Sequence, residues 1–438
     1  MNRATDNGQD VTARLGRRTL LKLGGLVAVG GAAGALLAAC GSPAAPPAPS
    51  TPASAKPSPA SAAPASAKPA GSAAASPAAA AKPSSTNGKL VRAAFVYLGT
   101  TNDKGWTNAH DDGRKYLEQQ LKGQVETVFA ENVPEGAESQ RVFEDFAQKG
   151  ASVVYGTSFG YMDFMLAAAQ KYPDVKFEHN TGFKTLPNLG TYGAAQEDAR
   201  YVAGLISGKM TKSNVLGFIG SFPIPEVIRD MNGWARGVQI ANPQAKIHTV
   251  WINSWFDPPK ETTAANSLLD LNADVLASVT DSPAMAQAAA AKKRYSVGSD
   301  SDQTSYAPDY MLICPFWVWG IHYVKSVQSV IDGTWKNSQV YYHMKDGVSS
   351  ITAPNKIVPA DVAKLAEDAI AGLKAGTLDI WKGPLKDNKG NVIVPDGKSI
   401  GDAFKGTPLP GQSAADGYVQ SEQMNWALDN IVDAVPKP

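Results

Sequence analysis

Carboxylates and aromatic side chains recur in this chain just after short apolar runs, a pairing suited to holding a small ligand. The first instance is Asn102, Asp103 and Trp106 in Gly99-Thr-Thr-Asn-Asp-Lys-Gly-Trp106. The second is Ser158, Phe159, Tyr161 and Asp163 in Gly156-Thr-Ser-Phe-Gly-Tyr-Met-Asp163. Trp255 and Phe256 follow, then Asp281, then Asp300 in Gly298-Ser-Asp-Ser-Asp-Gln303, and last Trp317 and Trp319 in Pro315-Phe-Trp-Val-Trp319. Taken singly, each reads as turn chemistry, a helix cap or core as readily as a site. Together they suit a flat, uncharged, hydrogen-bonding ligand: aromatic faces stack on it and a few polar groups orient it. A phosphate would call instead for Lys, Arg or a glycine-rich nest. Gly156-Thr-Ser158-Phe-Gly160 also has the strand-then-helix context of a serine nucleophile elbow, so a lipid-anchored serine hydrolase using Ser158 is an alternative of another class. Against it, few strands precede Ser158, and no histidine stands in an evident post-strand loop. The Gly298–Gln303 stretch offers too few oxygen ligands for calcium.

These loops must be held by the elements before and after them. Apolar or β-branched runs at 91–98, 125–130, 152–155, 175–179, 189–192, 215–219, 246–252, 275–279, 296–297 and 310–313 predict strands. Helical patterns fall between them at 106–121, 137–149, 160–171, 197–210, 226–240, 260–271, 284–293 and 318–332. Alternating strands and helices imply parallel sheets wound on both faces, here two Rossmann-like lobes in succession. The expected division is 89–194 plus 316–338 for lobe 1 and 195–315 plus 339–438 for lobe 2. In the tail, 359–376 reads as an amphipathic helix and 383–395 as a hairpin turning at 388–390.

The N-terminal end is of another kind. Arg17-Arg18-Thr-Leu-Leu-Lys22 precedes a glycine-rich apolar run ending in Leu37-Ala-Ala-Cys40. This predicts a signal peptide over 1–39, twin-arginine in type, with a lipobox that leaves Cys40 lipidated. The run is short for a membrane span. Residues 42–86 hold only Ala, Pro, Ser, Thr, Gly and three lysines, which predicts a disordered tether over 40–88 with a reach on the order of 100 Å. The second cysteine, Cys314, reads as a buried thiol, and neither a disulfide framework nor a Cys/His metal cluster is evident. Formal net charge is +1, of which 1–39 carries +3. A mature chain at −2 lacks the basic stripe that nucleic acid requires.

Several stretches in order resemble the basic membrane protein family of solute-binding lipoproteins, the family of purine nucleoside receptor A, and its adenine-binding-like branch in particular. They are Asp103-Lys-Gly-Trp-Thr-Asn-Ala-His-Asp111, Glu131-Asn-Val-Pro-Glu-Gly-Ala137, Thr157-Ser-Phe-Gly-Tyr-Met-Asp163, Pro223-Ile-Pro-Glu-Val227, Asn253-Ser-Trp-Phe-Asp-Pro258, Gly298-Ser-Asp-Ser-Asp-Gln303, Asp332-Gly-Thr-Trp335 and Lys382-Gly-Pro-Leu-Lys-Asp387. The resemblance implies a type I periplasmic-binding-protein fold with three hinge crossings, no catalysis and no cofactor. It also implies a monomer that holds a purine in its cleft for a partner ABC permease. By the same resemblance Asp103, Trp106, Phe159, Asp163, Trp255 or Phe256, and Asp300 correspond to binding positions. Trp317 stands about where nucleoside-binding members carry a lysine, which favours a free base, adenine above others, over a nucleoside. Asn102 or Asn108 would then pair with N6 and N7 as amides do.

Overall fold

The computed structural model describes residues 90–400, 424–433 and 435. The expected signal, the lipobox at Cys40 and the whole of the tether lie outside these residues.

The first lobe opens with β1 (Val91–Val96), α1 (Trp106–Gln120), β2 (Val125–Ala130), α2 (Ala137–Gln148), β3 (Val153–Gly156), α3 (Met162–Lys171), β4 (Lys176–Asn180) and β5 (Leu189–Ala194). After α4 (Gln196–Met210), the second repeats the pattern: β6 (Val215–Gly220), α5 (Pro225–Ala241), β7 (Lys246–Trp251), α6 (Pro258–Asp270), β8 (Val275–Val279), α7 (Ala284–Ala291), β9 (Tyr295–Val297) and β10 (Met311–Ile313). The chain then runs through β11 (Pro315–Trp317), α8 (Gly320–Ile331), β12 (Gln339–Tyr342), β13 (Ser349–Ile351), α9 (Ala360–Ala375) and a hairpin of β14 (Leu385–Lys386) and β15 (Val392–Val394).

One sheet has the order β12-β5-β4-β3-β1-β2 and the other β10-β9-β8-β6-β7, parallel throughout. In each sheet the winding reverses between its first and third strands, β1/β3 and β6/β8. That switch point opens a crevice at the carboxyl ends. Central strands are buried along nearly their whole length, as strands covered on both faces must be, whereas the edge strand β2 is half exposed.

The predicted α/β class and alternation of strands and helices hold, with one correction to the lobe boundary. Gln339–Tyr342 was expected in the second lobe, but it pairs with Thr191–Ala194 of β5 and so extends the first sheet. The chain therefore passes from the first sheet to the second at Ala195, returns at Cys314, and crosses again after Tyr342. β11 and β13 pair antiparallel between the last two passages. Both strands were missed because three-residue pieces carry no measurable periodicity.

Residues 424–433 lie along β7: the Ile247 N–H donates to the Asn430 carbonyl and the Val432 N–H to Ile247. Asn232 fixes the segment by donating to the Trp426 carbonyl at 2.7 Å and accepting from the Leu428 N–H at 3.0 Å.

Helices α4 and α5 cross closely enough that a Cβ on Gly204 would lie 2.1 Å from the Trp234 carbonyl oxygen, and one on Gly237 would lie 2.1 Å from that of Tyr201. Gly237→Ala should therefore destabilise the chain by about 1–3 kcal/mol in urea unfolding. That loss is expected despite the roughly 1 kcal/mol that alanine gains over glycine in a helix.

Candidate functional site

The carboxyl ends of both sheets face one cavity of about 470 Å³, counting the part that opens to solvent. Its lining comes from eight post-strand positions. Leu98 and Trp106 follow β1, Ser158 and Phe159 follow β3, and Thr181 follows β4. Glu226, Val227 and Asp230 lie on the first turns of α5, Trp255 follows β7, Val279 and Asp281 end β8, Asp300 follows β9, and Trp317 ends β11.

The aromatic wall is a connected cluster. Trp106 donates its indole N–H to the Thr157 carbonyl at 2.6 Å, and its ring meets Trp317 edge-on with centroids 5.8 Å apart. Trp317 stacks on Trp319 at 4.8 Å, and Trp319 stacks on His110 at 5.0 Å. His110 in turn shares a 2.6 Å hydrogen bond with the Tyr323 hydroxyl. Edge-to-face and offset pairs of this kind add roughly 0.5–1.5 kcal/mol each beyond burial, so the wall is rigid before any ligand arrives. Trp255 lies against Phe222, 5.1 Å between centroids, on the opposing lobe.

The polar side of the cavity is acidic. Burial lifts the carboxyls of Asp281, Asp300 and Asp230 above the usual range. For Asp281, Asp103, Asp300 and Glu261 add like charge. For Asp230, which reaches about 7, Arg200 and Arg229 oppose the burial effect. Asp300 accepts the Trp317 indole N–H at 3.0 Å. Asp230 Oδ1 and Thr181 Oγ1 are buried with no hydrogen-bond partner among the described residues. Buried polar atoms are seldom left so, and these two line the cavity.

Of the residues singled out from sequence, Trp106, Phe159, Trp255, Asp281, Asp300 and Trp317 come together in this cavity, as does Ser158. Six do not line it, one of them Trp319, which stacks on Trp317. Asp103 is buried, but its carboxylate accepts the N–H groups of Gly105, Thr107 and Asn108, each at 2.9 Å, and so caps α1. Asn102 is exposed. Tyr161 is fully buried against Phe143, its hydroxyl donating to the Val133 carbonyl at 2.5 Å. Asp163 is solvent-facing and paired with Lys184, and Phe256 is 46% exposed. Asn108, the other amide considered, donates to the Thr101 carbonyl at 3.3 Å.

The elbow reading of Ser158 also lacks its partner. The hydroxyl donates to Glu135 at 2.5 Å, while His179 bonds the Ser158 backbone carbonyl, and Ser158 sits in ordinary extended backbone at φ −145°.

Sequence reasoning missed Thr181, Glu226 and Asp230. The last two carried a faint signal, two acids four residues apart at the start of a helix after a strand. Thr181 gave none, because its left-handed backbone, φ 58°, is visible only in the structure.

Two outcomes test these assignments. Asp103→Ala should cost about 1–3 kcal/mol and speed hydrogen exchange at the Thr107 and Asn108 amides, because three buried N–H groups lose their acceptor. A fluorophosphonate should leave Ser158 unlabelled in the intact mass spectrum.

Residues 90–370 match the family described as ABC transporter substrate-binding protein, PnrA-like. A purine-binding protein of Brucella abortus is 41% identical over 312 residues, 71% of this chain and 89% of that one. A putative ABC transporter glucose-binding protein of Haloferax volcanii is 35% identical over 309 residues, 70% and 78% respectively. Among solved structures, an ABC transporter solute-binding protein of Aeropyrum pernix superposes with TM-score 0.58 at 17% identity, covering 68% of this chain and 93% of that one. One from Conexibacter woesei gives 0.56 at 21%, covering 66% and 98%. At these identities the superpositions establish the fold.

Proposed function

Because the chain belongs to the PnrA-like family of ABC transporter substrate-binding proteins, we propose that its cleft captures a purine, free adenine in particular, for an ABC permease. The protein would work outside the cytoplasm, tethered through a lipid on Cys40. The observation that carries the ligand class is the slot itself: a tryptophan-rich wall beside buried carboxyls, with Asp230 Oδ1 and Thr181 Oγ1 lacking partners inside the protein. A purine supplies two π-faces, each stacking contact contributing about 1–3 kcal/mol. Adenine adds N–H donors at its amino group and imidazole ring for the carboxylates, and ring nitrogens for the threonine hydroxyl. Trp317 supports the base over the nucleoside. Its indole walls the slot and donates to Asp300 Oδ1, taking one acceptor site of that carboxylate from a sugar hydroxyl. The purine-binding relative supports the same class.

Releasing bound small molecules by denaturation and identifying them by mass spectrometry tests this directly, followed by thermal shift with adenine, adenosine and glucose. Adenine at 100 times its dissociation constant should add about 2.7 kcal/mol of stability. A larger shift with adenosine would reverse the choice of base over nucleoside, and a shift with glucose alone would overturn the purine.

The protonation of Asp230 predicts a pH dependence. With its carboxyl held at about 7, it is mostly neutral at pH 6 and ionised at pH 8. An ionised carboxylate accepts a purine N–H more strongly than the neutral acid does, so adenine affinity should rise by up to about tenfold over that interval, measured by calorimetry. A fall would mean that protonated Asp230 donates instead. Trp317→Lys should weaken adenine and favour adenosine relative to it.

A further inference from the structure

Arg200, on α4, is wholly buried beneath the cavity floor. Two firm hydrogen bonds fix its guanidinium to the second lobe: Nη1 donates to the Ser278 carbonyl at 2.6 Å and Nη2 to Ser299 Oγ at 3.1 Å. Its approaches to the cavity carboxylates are looser, Nε to Asp230 Oδ2 at 3.5 Å and Nη2 to Asp300 Oδ1 at 3.6 Å. Asp300 is in turn the acceptor for the Trp317 indole. The guanidinium is thus held by the scaffold, and it lends charge to two ligand-facing carboxylates without consuming their acceptor sites.

We propose that Arg200 is the positioning residue that sets the hydrogen-bonding polarity of the cleft, keeping Asp230 and Asp300 as acceptors and so selecting ligands that present N–H donors. The inference rests on the cleft being the ligand site. Three aspartates, Asp230, Asp281 and Asp300, line one cavity at no more than 5% exposure each, and an isolated buried carboxylate protonates rather than stay charged. The charged groups facing Asp230 are Arg200 and Glu197 from α4, Arg229 from its own helix and Asp300 from the loop after β9. Glu226 and Asp281 line the same cavity. Arg229 is engaged by Glu197 at 3.1 Å, so its charge is largely matched there. Arg200 is the cation placed between Asp230 and Asp300. Without it both shift further toward the neutral acid, which gains an O–H donor and accepts more weakly, and the cleft turns from donor-seeking toward acceptor-seeking.

Two variants and two readouts test this. The carboxyl carbon of Asp230 is followed by ¹³C NMR against pH in protein labelled at aspartate, with Asp230→Asn for assignment, and adenine binding is measured by calorimetry from pH 6 to 9. In Arg200→Met the Asp230 midpoint should move up by at least about one pH unit, and adenine affinity at pH 7 should fall at least about fivefold and partly recover at pH 9. Arg200→Lys keeps the charge and loses the fork. It should hold the midpoint within about half a unit while weakening adenine several-fold, because Asp300 and Trp317 relax. An unchanged midpoint in Arg200→Met would overturn the proposal. So would a midpoint in Arg200→Lys displaced by more than about one unit, which decides the matter if the methionine variant does not fold. Wild-type protein that ignores adenine at every pH would refute the purine reading instead, while the titration of Asp230 would still decide the role of Arg200.

Discussion

The cleft exists as a cavity because the loop after β1 meets the opposing lobe backbone to backbone. A Cβ on Gly105 would lie 2.6 Å from the Asp281 Cα, so only glycine permits this approach. Beside it the Lys104 carbonyl accepts bonds from Ser301 and, at 3.0 Å, from Gln303, both on the far lobe. Lys104 and Asp300 take left-handed backbone to make the fit, at φ 65° and 62°. For residues other than glycine, asparagine and aspartate that conformation is costly, and such strain concentrates where a structure has something to hold. The lobes therefore touch at a point set by main chain, and the side chains around that point are left to line the space beside it.

That space is built against the usual economics of a core. A folded chain gains by burying apolar groups and loses by burying carboxylates that are poorly paired. Here Asp230, Asp281 and Asp300 are nearly inaccessible to solvent, within 5% exposure, and burial raises the proton affinity of each. Such an arrangement weakens the fold, so it is expected where function rather than stability sets the residue. The contrast with Asp274 makes the point. That buried carboxylate accepts from Thr211 and from the Lys212 and Ser213 N–H groups at 2.6–2.8 Å, and the set serves structure alone.

Much of the fold was legible because parallel α/β architecture writes itself twice, in apolar runs for strands and in helical periodicity between them. The strand 125–130 and the helix after Trp106 illustrate this within a residue of the observed ends. The short connectors 315–317, 339–342 and 349–351 were not legible, since their partners are distant in sequence and only the closed topology supplies them. The cavity was legible in part for a related reason. Aromatics and acids just past strand ends stand out, but whether a given acid faces a ligand or its own helix depends on a rotation the letters do not encode. Asp103 and Asp281 show the difference: both follow first-rank strands and both are buried, yet Asp103 spends its oxygens on three backbone N–H groups while Asp281 lines the cavity.

On the purine reading, the same electrostatics couple binding to closure. Bringing the lobes together places Asp281 of one beside Asp103 of the other and strips both of water, which opposes the closed form. The bonds to the Lys104 carbonyl favour it. With these contributions opposed, a ligand moves the balance between open and closed forms by the amount it interacts differently with the two. The carboxylates Asp230, Asp281 and Asp300 lie on the second lobe, whereas Trp106, Phe159 and Thr181 lie on the first, so a base gains both sets of contacts only when the two walls meet. Recognition is thereby tied to closure, through acceptors from one lobe and an aromatic wall from the other.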